Sequence, residues 1–181
     1  MRGYFGIGVE SISKEQNVGT IARSAHAFGA SFFFTIAPFV DIEAMRVSDT
    51  SGAFDHLPYY QYENTAKLDL PMECQLVGIE LTDEAIDLPS FRHPLRAAYV
   101  LGPEMGHLSE EIQNKCDHII KIPMKFCVNV GVAAAITMYD RQISLGKFAE
   151  RPVKPGGPLI ETRAQKKSDT LRRKIRSKKQ I

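Results

Sequence analysis

At 181 residues, 44% apolar and 24% charged, the chain has the composition of a soluble globular protein with room for one domain and a tail. Its longest apolar stretches, 30–40 and 128–138, fall short of the roughly 18 to 20 residues that span a bilayer, and residues 1–9 hold one Arg and a short apolar run without a small-residue cleavage site. Neither a membrane span nor a signal peptide is expected, residues 4–9 reading as a first strand, and the cytoplasm is the expected compartment. The net charge of +2 hides an asymmetry, because residues 161–181 hold 9 Lys and Arg against 2 Asp and Glu while residues 1–160 hold 14 against 19; a basic tail on a mildly acidic body points to a polyanionic partner, nucleic acid first.

In chain order, Tyr4 to Val9 is apolar and compatible with a strand. Val18, Ile21, Ala22, Ala25 and Phe28 recur at helical spacing, with Asn17 read as the N-cap and Gly29 as the terminator before a second strand, Ser31 to Ile36. Strand-length runs follow at Gln75 to Ile79, Ala97 to Leu101 and His118 to Ile122. Ser109 with Glu110 and Glu111 starts a helix with its acids where the macrodipole favours them. Asn129 caps a last long helix reaching Phe148, whose Gly131, Ala133, Ala134 and Ala135 permit close packing. Strands alternating with helices predict an α/β domain with a mostly parallel sheet covered by helices on both faces. Residues 151–158 contain three Pro and two Gly, which sets the predicted boundaries: a domain at 1–150, a linker at 151–160 and a basic tail at 161–181. Cys74, Cys116 and Cys127 are widely spaced, without a Cys-x-x-Cys pair or clustered His, so three reduced thiols and no metal are expected.

Three segments carry chemistry. In NVGTIARSAHAFG, Arg23 lies six residues after Asn17, in the second predicted helical turn and away from the apolar face, free to meet a phosphate. The strand ending at Leu101 runs into Gly102, Pro103, Glu104, Met105 and Gly106, a turn where a ligand can approach bare backbone at the carboxyl end of a strand. The strand ending at Ile122 leads through Pro123, Met124, Lys125, Phe126, Cys127 and Val128 to Asn129 and Val130. Taken singly, each reads at least as well as a plain capped helix or strand-to-helix connection. A nicotinamide-binding reading needs Gly-x-Gly-x-x-Gly after the first strand, whereas Gly6 and Gly8 lie inside that strand and 9–16 holds no glycine.

Together and in order, Asn17 with Arg23, then Leu101-Gly102-Pro103-Glu104, then Ile122-Pro123-Met124 and Cys127-Val128-Asn129-Val130 resemble the three motifs of the SpoU (TrmH-like) RNA 2′-O-ribose methyltransferases of the SPOUT superfamily. The resemblance spans residues 6–141. It implies an α/β domain with a deep trefoil knot in its C-terminal part, a fold that periodicity does not reveal. It also implies S-adenosyl-L-methionine as methyl donor, bound at Ile79, Gly102, Ile122, Met124 and Val130 mostly through backbone, and a homodimer that brings Arg23 of one subunit toward the cofactor of the other. Catalysis would rest on Arg23, Asn17, Glu104 and Asn129. A guanidinium stays protonated, so Arg23 is expected to clamp a phosphate beside the ribose and not to serve as the base. Arg23, Arg46 and, in the tail, Arg172, Arg173 and Lys174 are the expected RNA contacts.

The chain departs from the family pattern at Cys127 and Gly131, where Ser is usual; a thiol is a weak hydrogen-bond donor, and ribose methylation needs no covalent cysteine. The implied reaction moves a methyl group to a ribose 2′-hydroxyl in RNA, with tRNA favoured because no separate RNA-binding domain fits before Tyr4. The alternatives are ribosomal RNA as substrate, or an RNA-binding protein that keeps the fold without the activity.

Overall fold

The computed structural model describes residues 3–41, 45 and 52–158. Its strands are β1 (Tyr4–Glu10), β2 (Phe32–Ile36), β3 (Tyr59–Tyr62), β4 (Gln75–Ile79), β5 (Ile86–Asp87), β6 (Arg96–Leu101) and β7 (His118–Lys121). They form one sheet in the order β3-β2-β1-β6-β4-β7-β5, with every pairing parallel. The helices are α1 (Glu15–Phe28), α2 (Ala53–His56), α3 (Glu110–Lys115) and α4 (Val130–Leu145). None of the described helices is long and apolar enough to cross a membrane.

The central strands are buried on both faces, as a parallel sheet requires, and alternate residues serve two cores. Phe5, Ile7, Val9, Phe33, Tyr99 and Ile120 pack with Val18, Ile21, Ala22 and Ala25 of α1 and with Ala134 and Met138 of α4. On the other face Phe32, Phe34, Ile36, Ala98 and Val100 pack with Leu108 and with Ile112 of α3. Gly6 and Gly8 are seats for neighbouring rings: a Cβ at Gly6 would lie 2.2 Å from the Phe32 ring, and one at Gly8 2.5 Å from that of Phe34. Their role is packing against β2, which accounts for glycines inside a strand without a nucleotide-binding turn.

The predicted α/β class, the parallel sheet and the two helical layers are present. Several local expectations change. Helix α1 starts at Glu15 with Lys14 as its cap residue, and Lys14 supplies no side-chain cap; Asn17 thus sits inside the first turn and Arg23 in the third. Gly29 does terminate α1, in the left-handed conformation at φ 75°. Ser109 and Asn129 cap as expected, accepting from the amides of Ile112 and Gly131. Helix α4 ends at Leu145, short of Phe148, with Gly146 as its C-cap. Strands β3 and β5 were not predicted: β3 lies at a sheet edge with two exposed residues, and β5 is two residues long with both exposed, so neither carries an apolar pattern.

The chain divides between Gly146 and Lys147 into two compact units. In the second unit, residues 147–158 contain no helix or strand and are exposed throughout. All three cysteines are free thiols, and burial pushes Cys116 up to about 12, which keeps it inert at neutral pH.

Candidate active site

Parallel strands end at the same edge, so the loops after β4, β6 and β7 meet there, together with the N-termini of α1 and α4. They enclose a cavity of about 270 Å³ lined by Ile79, Glu80 and Leu81 after β4, Leu101 to Glu104 and Gly106 after β6, and Lys121, Ile122, Met124 and Cys127 to Val130 after β7, with Lys14 and Asn17 from α1 and Ala133 from α4. All five predicted cofactor positions, Ile79, Gly102, Ile122, Met124 and Val130, line this one cavity, as do Asn17, Glu104 and Asn129.

The last three residues form a continuous relay. Helix α1 lacks a cap of its own, and Glu104 supplies one from another loop. Its Oε1 accepts from the Lys14 amide at 3.0 Å, and its Oε2 accepts from the amide and hydroxyl of Ser13, both at 3.1 Å. A carboxylate at a helix N-terminus is favoured by orphan amides and macrodipole together. Asn17 Nδ2 donates to Glu104 Oε1 at 2.9 Å, Asn129 Nδ2 donates to Asn17 Oδ1 at 2.9 Å, and Asn129 Oδ1 accepts from the Gly131 amide at 2.8 Å. Burial works to raise the Glu104 pKa, but hydrogen bonds from Asn17, its own amide and Ser13 outweigh it and hold the carboxyl below its ordinary value. The residue predicted to cap α1 is therefore a buried link, and Glu104, expected among the catalytic residues, does the capping.

Arg23 stands apart. It is exposed and does not line the cavity. Six residues of helix carry it about 9 Å along the axis from Asn17 and about 240° around it. Among the described residues no hydrogen bond or ion pair engages it. Arg46, Arg172, Arg173 and Lys174 lie outside the described residues. Cys127 is exposed and lines the cavity. Gly131 packs against α1, where a Cβ would come 2.7 Å from Thr20 Cγ2; a Ser there, as in the family pattern, would require Thr20 or the helix pair to shift. Among the described residues no cluster of His, Cys, Asp or Glu is placed to hold a metal ion.

Two carboxylates at strand ends, the buried Glu10 and the half-buried Glu80, are not among the residues that the sequence motifs single out. Glu10, 5% exposed, accepts from the Ser109 amide at 2.8 Å and its hydroxyl at 2.6 Å. Glu80 accepts from the Leu108 amide at 2.6 Å. The available signal was an acid directly after an apolar strand, at Val9-Glu10 and Ile79-Glu80.

Residues 5–139 match the model of the SpoU rRNA Methylase family, and the chain belongs to that family. A Staphylococcus haemolyticus protein assigned to the TrmH family of tRNA/rRNA methyltransferases is 30% identical over 140 residues, covering 73% of this chain and 55% of the relative; the chain spans about half the length of such curated relatives. The SpoU methyltransferase AviRb from Streptomyces viridochromogenes, in complex with the cofactor AdoMet, superposes with a TM-score of 0.69 at 23% identity, covering 81% of this chain and 60% of that one. A structure solved to explain 2-OH methylation of C/U34 on tRNA gives a TM-score of 0.66 at 23% identity, covering 79% of this chain and 91% of that one. At these identities the likeness is one of fold.

Proposed function

We propose that the chain transfers a methyl group from S-adenosyl-L-methionine to a ribose 2′-hydroxyl in RNA, with tRNA as the substrate class. The observation that carries this reading is one cavity at the carboxyl edge of the sheet, where three sequence motifs spread over more than a hundred residues supply the walls. Family membership and the AdoMet complex of AviRb support the donor. The size and lining fit it as well: about 270 Å³ is close to the lower end of small-ligand sites, roughly 300–1,000 Å³, and apolar walls with a few carboxylate and amide groups suit a purine and a cationic sulfonium. Bound there, S-adenosylmethionine supplies an electrophilic methyl group.

The chain's own residues do the rest. Ile79, Gly102, Ile122, Met124 and Val130 hold the donor through backbone and apolar contact. Glu104, Asn17 and Asn129 fix the loops that carry those positions. Arg23 clamps a phosphate beside the target ribose, aligns that phosphate to accept the hydroxyl proton and stabilises the charge that develops on the oxygen as the methyl group passes to it from the sulfonium, which leaves as the neutral thioether. Because Arg23 does not line its own cavity, the reading requires a homodimer in which Arg23 of the partner subunit reaches this site. Val132 and Tyr139, 45% and 53% exposed on α4, and the Phe28–Tyr139 contact at the α1–α4 seam support an apolar face for that pairing. Arg46 and the basic tail residues Arg172, Arg173 and Lys174 contribute sequence-independent phosphate contacts. The deep trefoil knot of the SPOUT superfamily belongs to the same reading; the sheet order, which brings the loops after β4, β6 and β7 to one place, supports it.

The tRNA preference is supported by the 2-OH methylating neighbour, 91% of which this chain covers. Ribosomal RNA is the second reading, supported by the family's own description. Calorimetry with S-adenosylmethionine, followed by methyl transfer to transcripts of tRNA and ribosomal RNA, tests the proposal: binding and 2′-O-methylation of tRNA are expected. Binding of RNA without binding of the donor would identify an RNA-binding protein that has lost the activity.

A further inference from the structure

Glu80 follows β4 directly and lines the cavity, and its side chain is 9% exposed. A carboxylate so placed needs its lone pairs filled. Three donors from two cavity loops converge on it. The Leu108 amide donates to Oε2 at 2.6 Å, the Leu81 amide to Oε1 at 2.8 Å, and His107 Nδ1 lies 3.1 Å from Oε1. The Leu108 amide is also the atom nearest Gly102, where an added Cβ would meet it at 2.9 Å. One side chain thus sets the distance between the loop after β4 and the Gly102 turn, and the amide it holds is the one against which Gly102 packs. Lys121, the cation on the same wall, is engaged elsewhere, its Nζ donating to the carbonyls of Thr82 and Asp83 at 3.0 and 3.1 Å.

We propose that Glu80 is a positioning residue for the methyl donor: its carboxylate clamps Leu81 to His107–Leu108 and so fixes the width of the cavity between the β4 and β6 loops. The inference rests on the methyl-donor reading above. Only an acceptor-only side chain with four lone-pair sites satisfies two amides and an imidazole at once. Glutamine has the same shape but turns an NH₂ toward one of those donors. Glu10 provides the contrast, since it grips the same segment at Ser109 from outside the cavity, with comparable hydrogen bonds and no part in the lining.

The test compares Glu80→Gln, Glu10→Gln and wild type by calorimetry with S-adenosylmethionine, at a temperature where circular dichroism shows all three folded, together with thermal unfolding and amide exchange. Glu80→Gln is expected to weaken donor binding at least tenfold and to speed exchange at Leu81 and Leu108, whereas Glu10→Gln lowers the unfolding midpoint while affinity stays within about threefold. Affinity within twofold of wild type in Glu80→Gln overturns the inference. So does a parallel loss of affinity and stability in both variants, which would make Glu80 a structural residue only. A wild-type chain that binds no S-adenosylmethionine sinks the methyl-donor reading and this inference with it, a result distinct from one in which wild type and Glu80→Gln bind alike.

Discussion

Asn17 Nδ2 donates to Glu104 Oε1 across 2.9 Å and 87 positions of sequence, so the first turn of α1 and the turn after β6 are held as one unit. Asn17 is buried and its other amide atom is occupied by Asn129. Asn17→Ala leaves Glu104 and Asn129 short of partners in a partly buried site, with a cost of about 1–3 kcal/mol. Urea unfolding should register that loss, and S-adenosylmethionine affinity should fall with it. Asn17→Asp should cost more, because it sets a second carboxylate against Glu104. An Asn17→Ala variant as stable as wild type would mean the relay contributes nothing.

The α1–α4 contact makes a second prediction. With a Cβ at position 131 meeting Thr20 Cγ2 at 2.7 Å, Gly131→Ser forces the helices apart at a cost of about 1–3 kcal/mol, more than the few tenths gained in helix propensity. Thr20→Ala in the same chain should return most of that loss. A double-mutant cycle from denaturant midpoints checks the coupling, and additivity would show that the helices relax freely.

At the opposite end of the strands, His93 donates or accepts between Tyr99 Oη at 2.6 Å and Asp140 Oδ2 at 2.9 Å, while Arg141 donates to Tyr99 Oη and to the carbonyls of Pro94, Leu95 and Tyr4. Burial holds the His93 pKa below 6.5, against the upward pull of Asp140, and pushes the Tyr99 hydroxyl up to about 12. The unfolded chain therefore takes up a proton near pH 6.5 that the folded chain refuses until lower pH. Stability from this source is intact above pH 6.5 and is lost as pH falls toward the lowered folded value. The lowered Glu104 carboxyl has the same sign in a lower window, contributing stability above about pH 4.5 that is lost below it. Urea midpoints measured from pH 7.5 to about 5.5 should decline in wild type and flatten in His93→Gln. A flat wild-type profile would remove His93 from the account.

Arg23 is exposed and, among the described residues, unpartnered, so Arg23→Ala should change stability by no more than about 0.5 kcal/mol and leave donor affinity unaltered. Methyl transfer should fall about a hundredfold or more, as removal of a transition-state contact does. Mixed dimers of Arg23→Ala with a donor-site variant should recover one working site. Equal loss of binding and turnover would make Arg23 structural.

Much of the fold was legible because burial on both faces writes unbroken apolar runs into β1, β2, β4 and β6, and because Gly29, Ser109 and Asn129 are local signals read by their own helices. The cavity was legible through three spaced motifs. What escaped depended on distant partners. Asn17 has the chemistry of a cap, yet the helix starts two residues earlier because Glu104, far along the chain, caps it instead. Glu10 and Glu80 look like ordinary acids after strands until the turn of residues 102–109 folds onto them. Strands β3 and β5 hold their place by pairing with β2 and β7, which leaves no apolar alternation of their own.

The most direct measurement is nucleoside mass spectrometry of tRNA and ribosomal RNA from cells with and without the gene. One 2′-O-methylated nucleotide is expected to disappear from tRNA in the deletion and to return with the wild-type gene, but not with Arg23→Ala. An unchanged set of 2′-O-methyl nucleotides, or the loss of a base methylation instead, would contradict that expectation.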